Sequence, residues 1–354
     1  MPRTVLVTGA NGYIGNAVAR AFSRAGWLTY GLVRSDSASI TLQAEEIIPV
    51  IGQIDDVDSH STILAQLPPA IDTIVSTTEN LEDYTTHHQN TVHLLRTISL
   101  SSQKNNTGIK PLVIISSGCK DYGVGPHYHG EPGLAPHTEE SPLNPPPMLA
   151  NRTRMSLDTL KHTDAFLSVL VRPTNVFGRS ASYYRGFFDV AAKAVRDNEA
   201  LTIPAHVPGS SICHALHVDD CGDAYVALAS HPKREEVAGE IFNISAREYE
   251  TVDQIASVLV SEYGITKGVK YLNSDEAKAS ESGWENPWMP ALIDFPQWTG
   301  SDKIRAVTGW RDVRPLFSEA LRVYRLSYEA AVGQGHENVK KMEERERLFR
   351  GEGL

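Results

Sequence analysis

Val5-Leu6-Val7-Thr8-Gly9-Ala10-Asn11-Gly12-Tyr13-Ile14-Gly15 is the stretch whose reading decides the fold. A short apolar run breaks into a glycine-rich turn. Ile14, Val18 and Phe22, with Ala17, Ala21 and Ala25, then recur on one helical face until Gly26. The order is strand, turn, helix. Gly9 permits the tight turn, Gly12 lets backbone approach a pyrophosphate, and Gly15 lets the helix pack closely on the strand. The helix N-terminus adds unpaired N–H groups and partial positive charge, so a dinucleotide phosphate is the expected ligand.

At the start of the chain, TGxxGxxG resembles the fingerprint of the extended, epimerase/dehydratase-like branch of the short-chain dehydrogenase/reductase superfamily. The resemblance implies an α/β fold: a Rossmann-type doubly wound parallel sheet with a smaller C-terminal α/β substrate domain. Residues 1–178, with return segments at about 212–245, would carry the dinucleotide; 179–211 and 246–330 would carry the substrate. The charged residues 331–354 are expected to form an exposed helix or a frayed tail.

Composition narrows the function. The chain has 354 residues, 41% of them hydrophobic, and a formal net charge of −10, with its basic residues scattered or interleaved with glutamates. Nucleic acid and membrane are therefore not expected as partners; a small-molecule substrate is, in a monomer or a homodimer. Cys119, Cys213 and Cys221 lack CxxC spacing and read as reduced thiols, and no apolar run approaches the roughly 18 residues of a membrane span. The expected setting is cytoplasmic.

Along the chain, the resemblance assigns cofactor contacts to Gly9, Asn11, Gly12, Tyr13, Ile14 and Gly15. Arg34 and Ser35 end the second strand, where an arginine accommodates a 2′-phosphate; NADP(H) is therefore favoured over NAD(H), with Asp36 dissenting. Gln53, followed by Ile54, replaces the usual acid of the family's GDxxD stretch at the adenine. Thr77 and Thr78 stand where the family has two small residues, Thr78 toward substrate. Asn90 is read as the opening of a helix, as a cofactor contact or a cap. Thr251 is read as the cap of a helix over 252–263. Pro173, Asn175 and Val176 fall in a segment similar to LRPxNVYGP.

The chemistry departs from this pattern. In the resembling families a Tyr and a Lys at YxxxK spacing, with a Ser or Thr on a strand end, exchange a proton with the substrate oxygen while hydride moves. Here Ala150 and Arg154 occupy that register, and the hydroxyl position falls on Gly118, one residue from Ser117. Arg154 can orient a cofactor but not titrate. The candidate catalytic residues are Ser117, Tyr122 and Arg154, with the missing proton donor sought between Ser117 and His129 and Tyr122 the first choice. The long loop 119–147 reads as a lid or a binding loop, and its histidines show no metal-ligand spacing, so no metal is expected. Thr78, His127, His129, Tyr183, Tyr184 and Phe187 are candidate substrate contacts; the aromatic segment 183–188 reads equally as a packed domain seam or as lining for an aromatic or polyketide-like substrate. Cys213 stands where the family places a nucleotide-binding arginine, which argues against a nucleotide sugar. An NADP(H)-dependent oxidoreductase is the leading reading. The alternatives are a non-redox isomerase, lyase or cyclase that keeps its cofactor, and a dinucleotide-sensing regulator on the same fold.

Overall fold

The N-terminal apolar run forms strand β1 (Thr4–Thr8) and passes through the glycine turn into helix α1 (Tyr13–Arg24). This computed structural model describes residues 2–349 except 81, 126, 205–206 and 273–291. Then follow β2 (Leu28–Val33), α2 (Asp36–Ala44), β3 (Ile48–Ile51), α3 (His60–Ala65), β4 (Thr73–Ser76), α4 (Tyr84–Asn105), β5 (Leu112–Ser116) and α5 (Ala150–Asp158). After β6 (Leu167–Pro173) and β7 (Asn175–Phe177) come α6 (Arg185–Arg196), β8 (Leu201–Pro204), β9 (Ile212–Cys213), β10 (Ala215–His217) and α7 (Val218–Ala229). The chain then adds β11 (Ile241–Ile244), β12 (Glu250–Thr251), α8 (Val252–Tyr263), β13 (Val269–Leu272) and three helices, Asp302–Thr308, Leu321–Gly333 and Glu337–Phe349.

Seven parallel strands form the central sheet in the order β11-β6-β5-β4-β1-β2-β3. Helices cover both faces of such a sheet, so β1 reads as a continuous apolar run and Val5, Leu6 and Val7 are fully buried. From β1 the chain winds one way through β2 and β3, and from β4 the other way through β5 and β6. The reversal falls between β1 and β4, where open α/β sheets bind ligands beyond their carboxyl ends.

Helix α1 buries Val18 and Phe22 completely, each worth about 1.5–3 kcal/mol on removal from water. It lies so close to α7 that a Cβ at Gly222 would come 2.7 Å from the Ala17 carbonyl oxygen. A second apolar core gathers Phe177, Tyr184, Phe187, Phe188 and Leu259 with Phe317 and Tyr324. Thr251 caps α8 in a reciprocal capping box with Gln254, as its sequence predicts.

Two expectations shift. Ile304 and Trp310 pack into the core around the sheet, so the segment 302–310 does not side with the second core. Helix α4 begins at Tyr84, capped by the Asp83 carboxylate, which leaves Asn90 inside the helix instead of opening it. Among the described residues, no helix is long and apolar enough to cross a membrane.

Candidate active site

The glycine turn is shaped by close approach. Gly9 adopts φ +70°, a left-handed conformation that side chains disfavour, and its carbonyl accepts from Gly12 N at 2.8 Å. A Cβ at Gly15 would overlap the Gly9 carbonyl oxygen and lie 2.6 Å from Thr77 Oγ1, itself donating to Thr8 O at 2.7 Å. The end of α1 has no side-chain cap and no acidic residue in its first turn. Backbone N–H groups, dipole and absent side chains together fit a pyrophosphate. Ile14 packs partly buried on the sheet core, and the Tyr13 hydroxyl donates to Gly178 O, joining α1 to the chain beyond β7.

The other expected cofactor residues line the same sheet edge. Arg34 and Ser35 are exposed directly after β2, and Arg34 makes no ion pair among the described residues. Gln53 is exposed and Ile54 buried, while the Thr78 hydroxyl meets His87 Nε2 at 3.1 Å. Asn90 approaches Asp55 O at 3.5 Å. Pro173 ends β6, and Asn175 and Val176 open β7, half-buried.

At the end of β5 the sequence anticipates only part of the arrangement. Asp121 is fully buried and accepts four donors: Ser117 Oγ at 2.5 Å and Arg172 Nε at 3.2 Å on Oδ2, Arg152 Nη2 and Thr153 Oγ1 at 2.8 Å on Oδ1. A carboxylate withdrawn from water needs such partners, and it fixes them in turn. Arg152 also reaches Glu79 at 3.3 Å. A Cβ placed on Gly118 would lie 3.4 Å from Arg152 Nη2, so the guanidinium borders the position where the resembling families keep a hydroxyl. Lys120, one turn on, lies 4.7 Å from the Phe295 ring centroid. Burial, reinforced by the Arg152 charge, pushes its ammonium down to about 8.

The catalytic candidates separate. Ser117 belongs to this network. The Tyr122 hydroxyl is turned into the core, donating to Asn243 Oδ1 at 2.7 Å and accepting from Arg172 at 3.0 Å; burial pushes it up to about 12. A phenol so held does not fit the role of proton donor. Arg154 is exposed on α5, outside the Asp121 network, and neighbours His88 and Asp158 electrostatically. Arg152, two residues earlier, Asp121 and Glu79 were missed by motif spacing. An arginine two places before the lysine position, and an aspartate four after a strand-end serine, were the available signals.

The expected substrate contacts divide likewise. Tyr184 and Phe187 are buried in the second core against Phe317, so they build the domain and contribute no surface to a ligand. Tyr183 is half-buried and shares the electrostatic surroundings of Glu79 and Arg152. His127 Nδ1 accepts from Trp298 N at 2.9 Å, and exposed His129 meets the Tyr249 hydroxyl at 2.8 Å. His137 stacks on Tyr122, and bridges Tyr128–Ser211 and His137–Thr299 pin the loop 127–137 to its neighbours. Of the two readings of 119–147, lid or binding loop, these fastenings fit a binding wall and not a free lid.

Comparison with known proteins agrees with this fold. The UDP-glucose 4-epimerase of Thermus thermophilus, solved with NAD, superposes with a TM-score of 0.66 at 16% identity, covering 93% of this chain and 99% of that one. The UDP-glucuronic acid 4-epimerase of Bacillus cereus, also with NAD, gives 0.64 at 18% identity over 92% and 99%. At these identities the similarity establishes the fold. An uncharacterized protein of Schizosaccharomyces pombe, C2A9.02, is 38% identical over 69 residues, 20% of this chain and only 23% of that protein's length. The family model "Epimerase: NAD dependent epimerase/dehydratase family" matches residues 5–245. A match running through most of the chain, on a sheet whose glycine cradle fits a dinucleotide, places the protein in the NAD-dependent epimerase/dehydratase family.

Proposed function

We propose that the protein is an NADP(H)-dependent oxidoreductase acting on a small organic carbonyl or alcohol, with Arg152 holding the substrate oxygen and Lys120 exchanging its proton. The observation that carries this reading is the guanidinium of Arg152 beside Gly118, fixed by Asp121 and Glu79 where a hydroxyl is missing. A bound nicotinamide would supply or accept the hydride. Arg152 remains charged at all relevant pH and can hold an oxygen that gains negative charge without itself losing a proton. Lys120 can lose one, because its ammonium is brought near neutral pH. Ser117, held by Asp121, keeps its place in the proposal as a second group orienting the oxygen.

Arg34, exposed at the end of β2, supports the preference for a 2′-phosphate. Arg154 remains a candidate for the nicotinamide ribose. Cys213 is buried in β9 and offers no cation, which disfavours a nucleotide sugar. With Tyr184 and Phe187 in the core, Tyr183 and Phe295 remain the aromatic groups that favour an aromatic substrate.

The test is NADPH oxidation against a panel of carbonyl compounds, with Lys120→Met and Arg152→Met beside wild type. Loss of about 10² or more in kcat with unchanged NADPH affinity in either variant supports the reading. Conversion of substrate with no NADPH consumed would replace it with a non-redox isomerase, lyase or cyclase. That second reading is favoured by Ala150, which puts no phenol in the tyrosine register. Lys120 as acid predicts that reduction slows as pH rises through about 8, and the reverse oxidation speeds over the same interval.

A further inference from the structure

The charged C-terminal helix docks one face on the body through Val339, Met342 and Glu346, while Lys340, Glu343, Glu344, Arg345 and Arg347 stay exposed. Helix Glu337–Phe349 lies against the glycine turn, where Asn11 Nδ2 donates to Glu337 Oε1 at 3.2 Å and Lys341 Nζ donates to the Asn11 carbonyl at 3.2 Å. Lys341 and Glu337 pair with each other at 2.6 Å. Further along, Val339 and Met342 are buried with Ala181 and Ala331, and Asn338 reaches Ser180 Oγ at 3.3 Å. The buried Arg185 pairs with Glu346 at 2.5 Å. A buried ion pair of this kind fixes register more than it adds stability, so the helix is held to the segment 180–185 and presents one cation and one anion to the loop after β1.

We propose that Lys341 is a phosphate-binding residue of the dinucleotide site, paired with Glu337 until a pyrophosphate takes the carboxylate's place beside Asn11. The proposal rests on the dinucleotide reading and deepens it, because it assigns a contact outside residues 5–245, the span of the family match. The charges decide the direction. The bond from the Asn11 side chain holds the Glu337 carboxylate beside the glycine turn, and a carboxylate there repels a pyrophosphate drawn to the positive end of α1. Displacing Glu337 leaves Lys341 beside the phosphates, where a charge-assisted hydrogen bond replaces the internal ion pair. Glu337 thus competes with the ligand and Lys341 attracts it.

Equilibrium titration with NADPH, ADP-ribose and adenosine tests this without turnover. Lys341→Ala should weaken NADPH and ADP-ribose roughly tenfold and leave adenosine, which has no phosphate, unchanged. Lys341→Arg should bind nearly as wild type, and Glu337→Gln should bind both phosphorylated ligands more tightly, with the gain shrinking as salt is added. Lys341 is about one-third exposed, so its replacement leaves the fold intact, which circular dichroism verifies. Equal affinities for NADPH in wild type and Lys341→Ala overturn the proposal, as does an equal loss for adenosine, which would make the helix only a wall. Failure of wild type to bind any dinucleotide overturns the cofactor reading along with it; binding that ignores Lys341 overturns this proposal alone.

Discussion

The ends of β1 and β5 lie two strands apart on one sheet and carry the pattern of this family very differently. After β1 the site is made of backbone: Gly9 in a left-handed conformation, Gly15 without room for a Cβ, and the open end of α1. Any sequence that keeps the glycines keeps the cradle. After β5 the site is made of side chains, and here the Ser/Thr, Tyr and Lys positions hold Gly118, Ala150 and Arg154. A buried carboxylate, Asp121, instead organises Ser117, Arg152 and Arg172. Cofactor geometry built from backbone resists substitution, whereas proton chemistry built from side chains can be re-formed from neighbouring residues.

Gly15→Val should break the comparison from the cofactor side. The new side chain must displace Gly9 O and Thr77, so dinucleotide affinity should fall by more than about 10²-fold in a calorimetric titration. Retained affinity would mean that the cradle is not the binding site. Asp121→Ala attacks the other end: Arg172 and Arg152 lose their buried counter-charge, and chemical denaturation should show a loss of about 3–5 kcal/mol. A change below about 1 kcal/mol would show that water already serves those arginines.

Smaller effects sharpen the contrast. On the proposed pairing of the exposed Arg34 guanidinium with a 2′-phosphate, Arg34→Ala should reduce NADPH affinity about tenfold and NADH affinity little. Equal loss for both cofactors would remove the NADP(H) preference. Arg154→Ala, exposed and outside the Asp121 network, should weaken NADPH by less than tenfold and leave the pH–rate profile in place. A shifted profile would mean that the Arg154 charge acts on the group that exchanges the proton.

The cradle, the strands and the α8 cap were legible in sequence because each depends on local rules: glycine where a Cβ cannot fit, apolar runs where both faces are covered, Thr251 with Gln254 at a helix start. Arg152 and Asp121 were not, since their spacing from the lysine position and the strand-end serine takes on meaning only through contacts across β5, β6 and α5. The aromatic run 183–188 stayed open between substrate contact and packed seam for a related reason. Composition does not say which face of α6 meets the second core, and Tyr184 and Phe187 turn inward to Phe317. The C-terminal helix read as solvent-exposed because its charges dominate, yet Val339, Met342 and Glu346 are buried at docking positions spaced along one face.

The claim that proton exchange has moved to Lys120 can be measured without knowing the substrate. The side-chain resonances of isotopically labelled lysine, followed against pH in wild type and in Lys120→Arg, identify the Lys120 ammonium as the signal lost in the variant. Its titration near pH 8 is the predicted result, and titration near the ordinary lysine value of about 10.4 would contradict the account.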